Sequence, residues 1–395
     1  MSQSAQFPAS SKTESPDRVN VLARRFINYL ISLNFARGQF NSEEGLVDDD
    51  EAISRELLAV EQKRRAEKAK LSAVQDKVRR DVELRMQKRL YRETAKRLED
   101  QQFIRERVLM LAENTPALLD LMFAPSASSK RVEELSQGLD WLHVGVVKIV
   151  NMPPFLDPND PKRTKINNYR GALNFIGAED IKVIAPALTM QNWLPPAEPP
   201  FTLLRRKLWQ HVMATAVVCQ RLAELNGKLD PAIAFNTGMF HEMGKVTLAR
   251  LYLRVFEDVR QKMFEELRSE KTSTRYNALM HVEPDQQFLR DMMLKQERVV
   301  TKLLFEGFEM RHLPLAQIYA DYAKAKTFED TSGYSRLLWQ ANTFSEFRML
   351  HAANLASLDD GKRMFAATRL SGKTIVELRK LNLKKLILTR NRESE

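Results

Sequence analysis

His241 and Glu242 stand side by side in the stretch FNTGMFHEMGKVTLARLY (235–252), with Gly244 and Lys245 just behind them. An imidazole beside a carboxylate offers two donors to a divalent cation. A hard cation, however, needs several converging ligands and enough anionic charge. Lys245 has two chemical uses: it meets a phosphate, or it pairs with Glu242 or another helix carboxylate. The ion pair is the expectation here. Gly244 permits a tight approach or a positive φ behind the acidic pair. Val246, Leu248, Ala249, Leu251 and Tyr252 continue at helical spacing. Other chemistries have no support. The single cysteine, Cys219, excludes an internal disulfide and a Cys-rich zinc site. It lies in the apolar run AVVCQRLA and reads as a small buried hydrophobe. There is no phosphate-binding loop of the P-loop type, no G-x-G-x-x-G, no G-x-S-x-G and no zinc-finger spacing.

The elements that must position this pair are helices. The chain has 395 residues, 44% apolar and 29% charged, and only 13 glycines. Ala, Leu, Glu, Lys and Arg dominate, which predicts an all-α protein. The formal charge of +11 allows nucleic acid, acidic protein or anionic lipid as partners without selecting one. No window of about 18 apolar residues exists, so no membrane-spanning helix is expected. The polar N-terminus lacks the apolar segment of a secretory signal, and the cytoplasm is the expected address.

Residues 1–18 are rich in Ser, Gln and Pro and read as disordered. Residues 19–34 carry a dense apolar stripe and predict a short docking helix, with a membrane-surface helix as the lesser alternative. The acidic run 43–51 reads as a solvated linker. From Glu51 to Arg107 there is neither Gly nor Pro, and 17 basic residues face 11 acidic ones. About half the chain's excess charge sits there. Pairs such as Glu61 with Arg65 and Asp81 with Arg85 support a long exposed helix or hairpin. A single helix over the whole window would be about 80 Å long. Leu71, Val74, Val78, Val82, Met86 and Leu90 trace one narrow stripe at a spacing closer to four than to a strict 3–4 alternation, so a regular coiled coil is only weakly signalled. The mixed charge favours a solvated helix packed loosely on the main domain over an arm that binds nucleic acid.

After Phe103 apolar density rises. Val132–Gln137, Trp141–Val150 and Leu203–Leu225 predict helices, the last stopped by Gly227. Asp230 and Pro231 cap the next one, leading into His241. The block around His241 resembles the His-Asp…Gly-Lys core of HD phosphohydrolases, and more closely the related HDOD domain, with Glu242 in place of the Asp. The order of the preceding blocks supports this resemblance. Asn151 matches an Asn at a helix end. Ala172, Leu173, Ile176, Gly177, Ile181 and Val183 match the helix that follows. Arg311–Tyr322 resembles the aromatic-x-Leu-Pro segment, and the likeness runs over about residues 108–350.

The resemblance implies a multi-helix HD-like (HDOD) bundle with a long charged N-terminal helical arm. The chain then divides into 1–50, 51–107, 108–350 and 351–395, the last holding C-terminal helices and a basic tail from Gly372. The tail is expected to pack Ile375, Leu378, Leu381 and Leu386 onto the core, with a membrane-surface role as the minor alternative. Catalytic relatives hold a metal with a His, a His-Asp pair and a distant Asp. Here these positions read His211, His241, Glu242 and Asn342, and Glu297 stands where another His is common. Glu242 reaches about 1 Å further than Asp, beyond the ~0.5 Å tolerance of working sites, and Asn342 brings no charge. The expectation is therefore a degenerate site with no catalytic residues and no bound Mg, Mn or Fe. His211 is expected to be a core histidine bonded across helices. His143 and His351 have no evident partners, His281 reads as exposed, and His312 reads as a packing or loop residue.

Three functions follow. The first is a non-catalytic bacterial regulator working through protein contacts, its partner unidentified. The second is a metal-dependent phosphohydrolase acting on a nucleotide or cyclic dinucleotide. The third is a nucleic-acid-associated factor using residues 51–107.

Overall fold

The structure is a computed structural model that describes residues 16–43, 59–152, 155, 165–270 and 273–388. The disordered segment expected at 1–18 and the acidic linker lie almost wholly outside the described residues. Among these residues there is no strand, and the expected all-α class holds. The helices run α1 Pro16–Ile31, α2 Leu33–Glu43, α3 Ala59–Leu98, α4 Gln101–Phe103, α5 Asn114–Leu121, α6 Ser129–Leu135, α7 Asp140–Val150 and α8 Tyr169–Trp193. Then follow α9 Leu204–Asn226, α10 Pro231–Phe240, α11 Met243–Ser269, α12 Ser273–Met280, α13 Gln286–Glu306, α14 Leu315–Lys324, α15 Gly333–Ala352, α16 Leu358–Ala367 and α17 Gly372–Arg379. A single π turn, Ile104–Leu109, continues α4.

At the centre is α9. His211 to Gln220 are buried without a break, as expected of a helix surrounded by others. α10 and α15 pack along it, and α11 packs on α13. Gly227 ends α9 in the left-handed region, φ 68°, where a residue with Cβ is strained. Asp230 caps α10 by accepting from the Ala232 and Ile233 amides. α10 approaches α9 closely because Gly238 has no side chain: a Cβ there would stand 2.6 Å from Ala216 Cα. Asn151, at the end of α7, donates to the Val147 and Ile166 carbonyls and accepts from the Ile166 amide. It thereby ties the two ends of the loop before α8.

The N-terminal half departs from expectation. Where one helix is predicted over 19–34 there are two, and α1 is not peripheral. Leu22, Phe26, Ile27, Leu30 and Ile31 are each at most 3% exposed. The long charged segment is one helix of 40 residues, about 60 Å at 1.5 Å per residue, and not a hairpin. It packs on α11 and α12. Val82, Met86 and Leu90 of the predicted stripe are buried and Val78 is half-buried, while the Leu71 and Val74 side chains lie outside the described set. Arg89 with Glu266 and Arg97 with Asp258 fasten it further. At the other end, Leu378 on α17 is buried, with Ile375, Leu381 and Leu386 partly buried against the core.

Replacing Gly238 by Ala should push α10 off α9. We expect a loss of about 1–3 kcal/mol, read as a lower denaturation midpoint with an unchanged denaturant slope.

Candidate site at the α10–α11 turn

Five helices and one turn converge on the predicted pair. α9 supplies His211, and the α10–α11 turn supplies His241 and Glu242. α11 supplies Lys245, α13 supplies Glu297, Arg298 and Thr301, α14 supplies Tyr319 and Tyr322, and α15 supplies Asn342, Ser345 and Glu346. The turn reaches α13 because residue 244 is glycine. A Cβ there would lie 1.9 Å from the Glu297 carbonyl oxygen, so close approach, not a positive φ, is its role. The Gly244 amide donates to Thr301 Oγ1 at 2.8 Å, and Thr301 donates to the Glu297 carbonyl at 2.9 Å.

His211 Nε2, His241 Nε2 and Glu242 Oε1 form a nearly equilateral triangle with edges of 3.2, 3.2 and 3.3 Å. Asn342 Oδ1 lies 3.2 Å from His241 Nε2, and its amide donates to Glu346 Oε1 at 3.0 Å. His241 Nδ1 donates to the Gly238 carbonyl at 2.6 Å, which leaves Nε2 to face the triangle. On the far side His211 Nδ1 lies 3.1 Å from Ser345 Oγ. All four predicted positions are thus brought together, and His211 is bonded across helices as expected. The extra methylene of Glu242 does not carry its carboxylate past the imidazoles: the side chain folds so that Oε1 meets both. Side-chain length is therefore not what separates this site from a metal triad.

What separates it is Lys245. Its ammonium sits 2.7 Å from Glu242 Oε1, the corner of the triangle, and 2.5 Å from Glu297 Oε2. Burial works against the ammonium, but the Glu242 and Glu297 charges outweigh it and raise its pKa above the usual lysine value. Burial pushes the Glu242 carboxyl up. Lys245, His241 and the imidazole hydrogen bonds overcome that and hold it well below the carboxylate range. For His211 burial wins over Glu242, and its pKa falls to about 4, so the ring is neutral at pH 7.

Glu346 is the group sequence reasoning passed over. Burial, with Glu242 and Glu297 adding to it against Lys245, lifts its pKa to about 7. It lies four residues after Asn342, on the same face of α15, a signal usable only once that face is known. Arg298, Thr301, Tyr319 and Tyr322 were likewise unmarked. Arg298 lies over both the Tyr322 and Trp339 rings, 4.4 and 4.7 Å from their centres.

A divalent ion fits the spacing of this triangle but neither its charge nor its room. An ion about 2.1 Å from Glu242 Oε1 would lie within about 5 Å of the Lys245 ammonium. At an effective dielectric of 20 that repulsion is about 7 kcal/mol. The cavity lined by His241, Glu242, Lys245, Glu297, Tyr322 and Asn342 has about 10 Å³ of free space, enough for about one water. The waters that complete a hard ion's shell have no place there. One observation points the other way: Glu242 Oε2 is buried without a hydrogen-bond partner. The small cavity beside it has room for about one water, which would satisfy it.

The remaining histidines lie elsewhere. His143 and His351 do have partners, contrary to expectation. His143 Nε2 lies 3.0 Å from Ser136 Oγ and its ring stacks on Tyr169. His351 stacks on Phe347, with Nδ1 donating to the Ala356 carbonyl. Their neighbours come from other elements, which spacing along the chain does not show. His281 is exposed, and the His312 amide donates to Asp120 in a loop. Cys219 is fully buried. A larger groove, about 660 Å³, lies between α5–α6 and residues 308–312. Its Arg131 and Arg311 are balanced by Glu134 and Glu309.

The all-α architecture and the paired-histidine turn define an HD-like helical bundle. Residues 109–287 match the HDOD domain family. No curated protein matches the chain. Two solved structures from Shewanella amazonensis SB2B resemble it. One is described as a candidate phosphohydrolase, 15% identical, with a TM-score of 0.45 over 72% of this chain and 94% of the other. The second is described as a candidate metal-dependent phosphohydrolase, 13% identical, with a TM-score of 0.44 over 73% and 94%. Similarity at this level carries no argument about chemistry.

Two measurements test the electrostatics. Lys245→Met leaves the buried Glu242 carboxylate and the quarter-exposed Glu297 carboxylate without their shared cation and should cost about 3–5 kcal/mol in denaturant unfolding. Glu346 is protonated in the folded protein up to about pH 7 but titrates near 4.5 when unfolded. Its contribution is therefore fully present below about pH 4.5 and lost as pH rises through 7. Glu346→Gln should gain stability relative to wild type across that window. A difference that does not change with pH would contradict the assignment.

Proposed function

We propose that this protein is a non-catalytic regulator of the HDOD type, which acts through contacts with other proteins. One observation carries the proposal: the Lys245 ammonium is lodged between Glu242 and Glu297, against the carboxylate a metal would need. With the Lys245 ammonium against that carboxylate and room for about one water, the pocket offers neither a means of activating a nucleophile nor space for a nucleotide. The bundle then serves as a docking body, and the outward face of α3 supplies a second contact surface. That face carries Lys77, Arg80, Lys88 and Arg92, with Leu84 56% and Tyr91 71% exposed between them. No helix among the described residues is long and apolar enough to cross a membrane. A cytoplasmic, bacterial setting and the division into an arm, an HDOD-like domain and a C-terminal tail belong to the same proposal.

A second reading, metal-dependent phosphate-ester hydrolysis, is favoured by the triangle of His211, His241 and Glu242 alone. Hydrolysis of p-nitrophenyl phosphate and its bis ester, with Mn, Fe or Mg supplied, separates the two. The regulatory reading expects wild type and Glu242→Gln to be equally inactive. Turnover that Glu242→Gln abolishes would establish the enzyme.

The exposed basic face of α3 also suits nucleic acid. If it binds there, the affinity should fall steeply with salt, and neutralising Lys77, Arg80, Lys88 and Arg92 should flatten that slope. An unchanged slope would remove this reading.

A further inference from the structure

A cavity of about 390 Å³ opens between α3, α11 and the turn before α13. Small-molecule sites typically enclose about 300–1,000 Å³, with apolar walls and a few placed polar groups. The inner wall here is apolar: Leu90 of α3, Tyr252 and Phe256 of α11, and Val282 of the turn are all buried. Arg79, Glu83 and Glu283 stand at the mouth. The α3 wall lies outside the segment that matches the HDOD family, and the other two walls lie inside it.

The Tyr252 hydroxyl is the polar group of the inner wall. Its oxygen accepts from the Asp285 amide at 2.6 Å, and among the described residues no acceptor takes its proton. Tyr252 is fully buried, and burial raises its pKa, so the proton stays on the oxygen. A buried donor without an acceptor is costly, and a bound molecule with an acceptor relieves that cost. The charge at the mouth selects further. Arg79 is paired with Glu83 at 2.9 Å. Among the described residues no cation pairs with Glu283, nor with Asp285, whose carboxylate accepts from the Gln87 side chain and the Gln287 amide. The mouth therefore repels a phosphate and attracts an amino group.

We propose that this cavity binds an uncharged aminopurine, as the free base or the nucleoside without phosphate. The ring lies against Leu90, Phe256 and Val282. A ring nitrogen accepts from the Tyr252 hydroxyl, and the amino group donates to a carboxylate at the mouth. Because α3 forms one wall, the bound ring ties α3 to α11. The site goes beyond the regulatory reading above. It gives the protein an input, and it uses no contact of Lys245, so it stands or falls separately.

Isothermal titration calorimetry of the full chain with adenine, adenosine and AMP tests it. We expect adenine and adenosine to bind at one site, and AMP to bind about tenfold more weakly because its phosphate meets the acidic mouth. Tyr252→Phe should weaken adenosine about tenfold, the loss of one buried hydrogen bond. Tyr252 also holds the Asp285 amide, so a second variant guards against a folding defect. Gln87→Trp, on the exposed side of α3, fills the mouth and should abolish binding with the unfolding midpoint kept. Adenosine should also slow hydrogen exchange in Arg79–Leu90 and leave α15 unchanged. No binding of adenine or adenosine at millimolar concentration, equal affinity for AMP, or unaltered binding by Gln87→Trp would each overturn the proposal.

Discussion

A buried ammonium held between two carboxylates is the interaction on which the rest of the site depends. Lys245 lies under α13 and α15, where an unpaired charge would be prohibitive. Glu242 and Glu297 make it tolerable, and Lys245 in turn favours the ionised form of Glu242. Such a pair need not add net stability, since apolar residues of equal volume could do as well. Its consequence is that each partner constrains the others. Glu242 is held where both imidazoles meet it, and the negative charge that would attract a metal is already spent on Lys245.

The backbone makes this arrangement possible through two absent side chains. Gly238 lets α10 lie against α9, which brings His241 to His211. Gly244 lets the following turn touch α13, which brings Lys245 to Glu297. Thr301 fastens that contact by bonding to the Gly244 amide. The charges, the imidazoles and the close helix crossings are therefore one construction. A bulkier residue at either glycine would separate the partners before any charge were changed.

Much of this was legible in the sequence, for identifiable reasons. The His241-Glu242 pair, Gly244 and Lys245 are contiguous, so local spacing was enough. His211, Glu297 and Asn342 were placed through family resemblance, because nothing along the chain links α9, α13 and α15. Glu346, Tyr319 and Tyr322 were missed because a polar residue on a helix looks the same whether it faces solvent or a buried lysine. The effect of Glu242 was misjudged because its length was compared with Asp in isolation, without the fold of the side chain back towards the imidazoles. The core role of α1 was also hidden. Its apolar stripe announced docking, but not that Phe26 would meet His211.

The site thus sets His211, His241 and Glu242 at the spacing of a metal triad, while the Lys245 ammonium lies against the Glu242 carboxylate. The most direct test is anomalous X-ray diffraction from crystals of the full chain grown with excess Mn²⁺ at neutral pH. The account predicts no anomalous peak among His211, His241 and Glu242, with the Lys245 ammonium within hydrogen-bond distance of Glu242. A strong peak about 2.1–2.3 Å from all three side chains, with Lys245 displaced from Glu242, would contradict it.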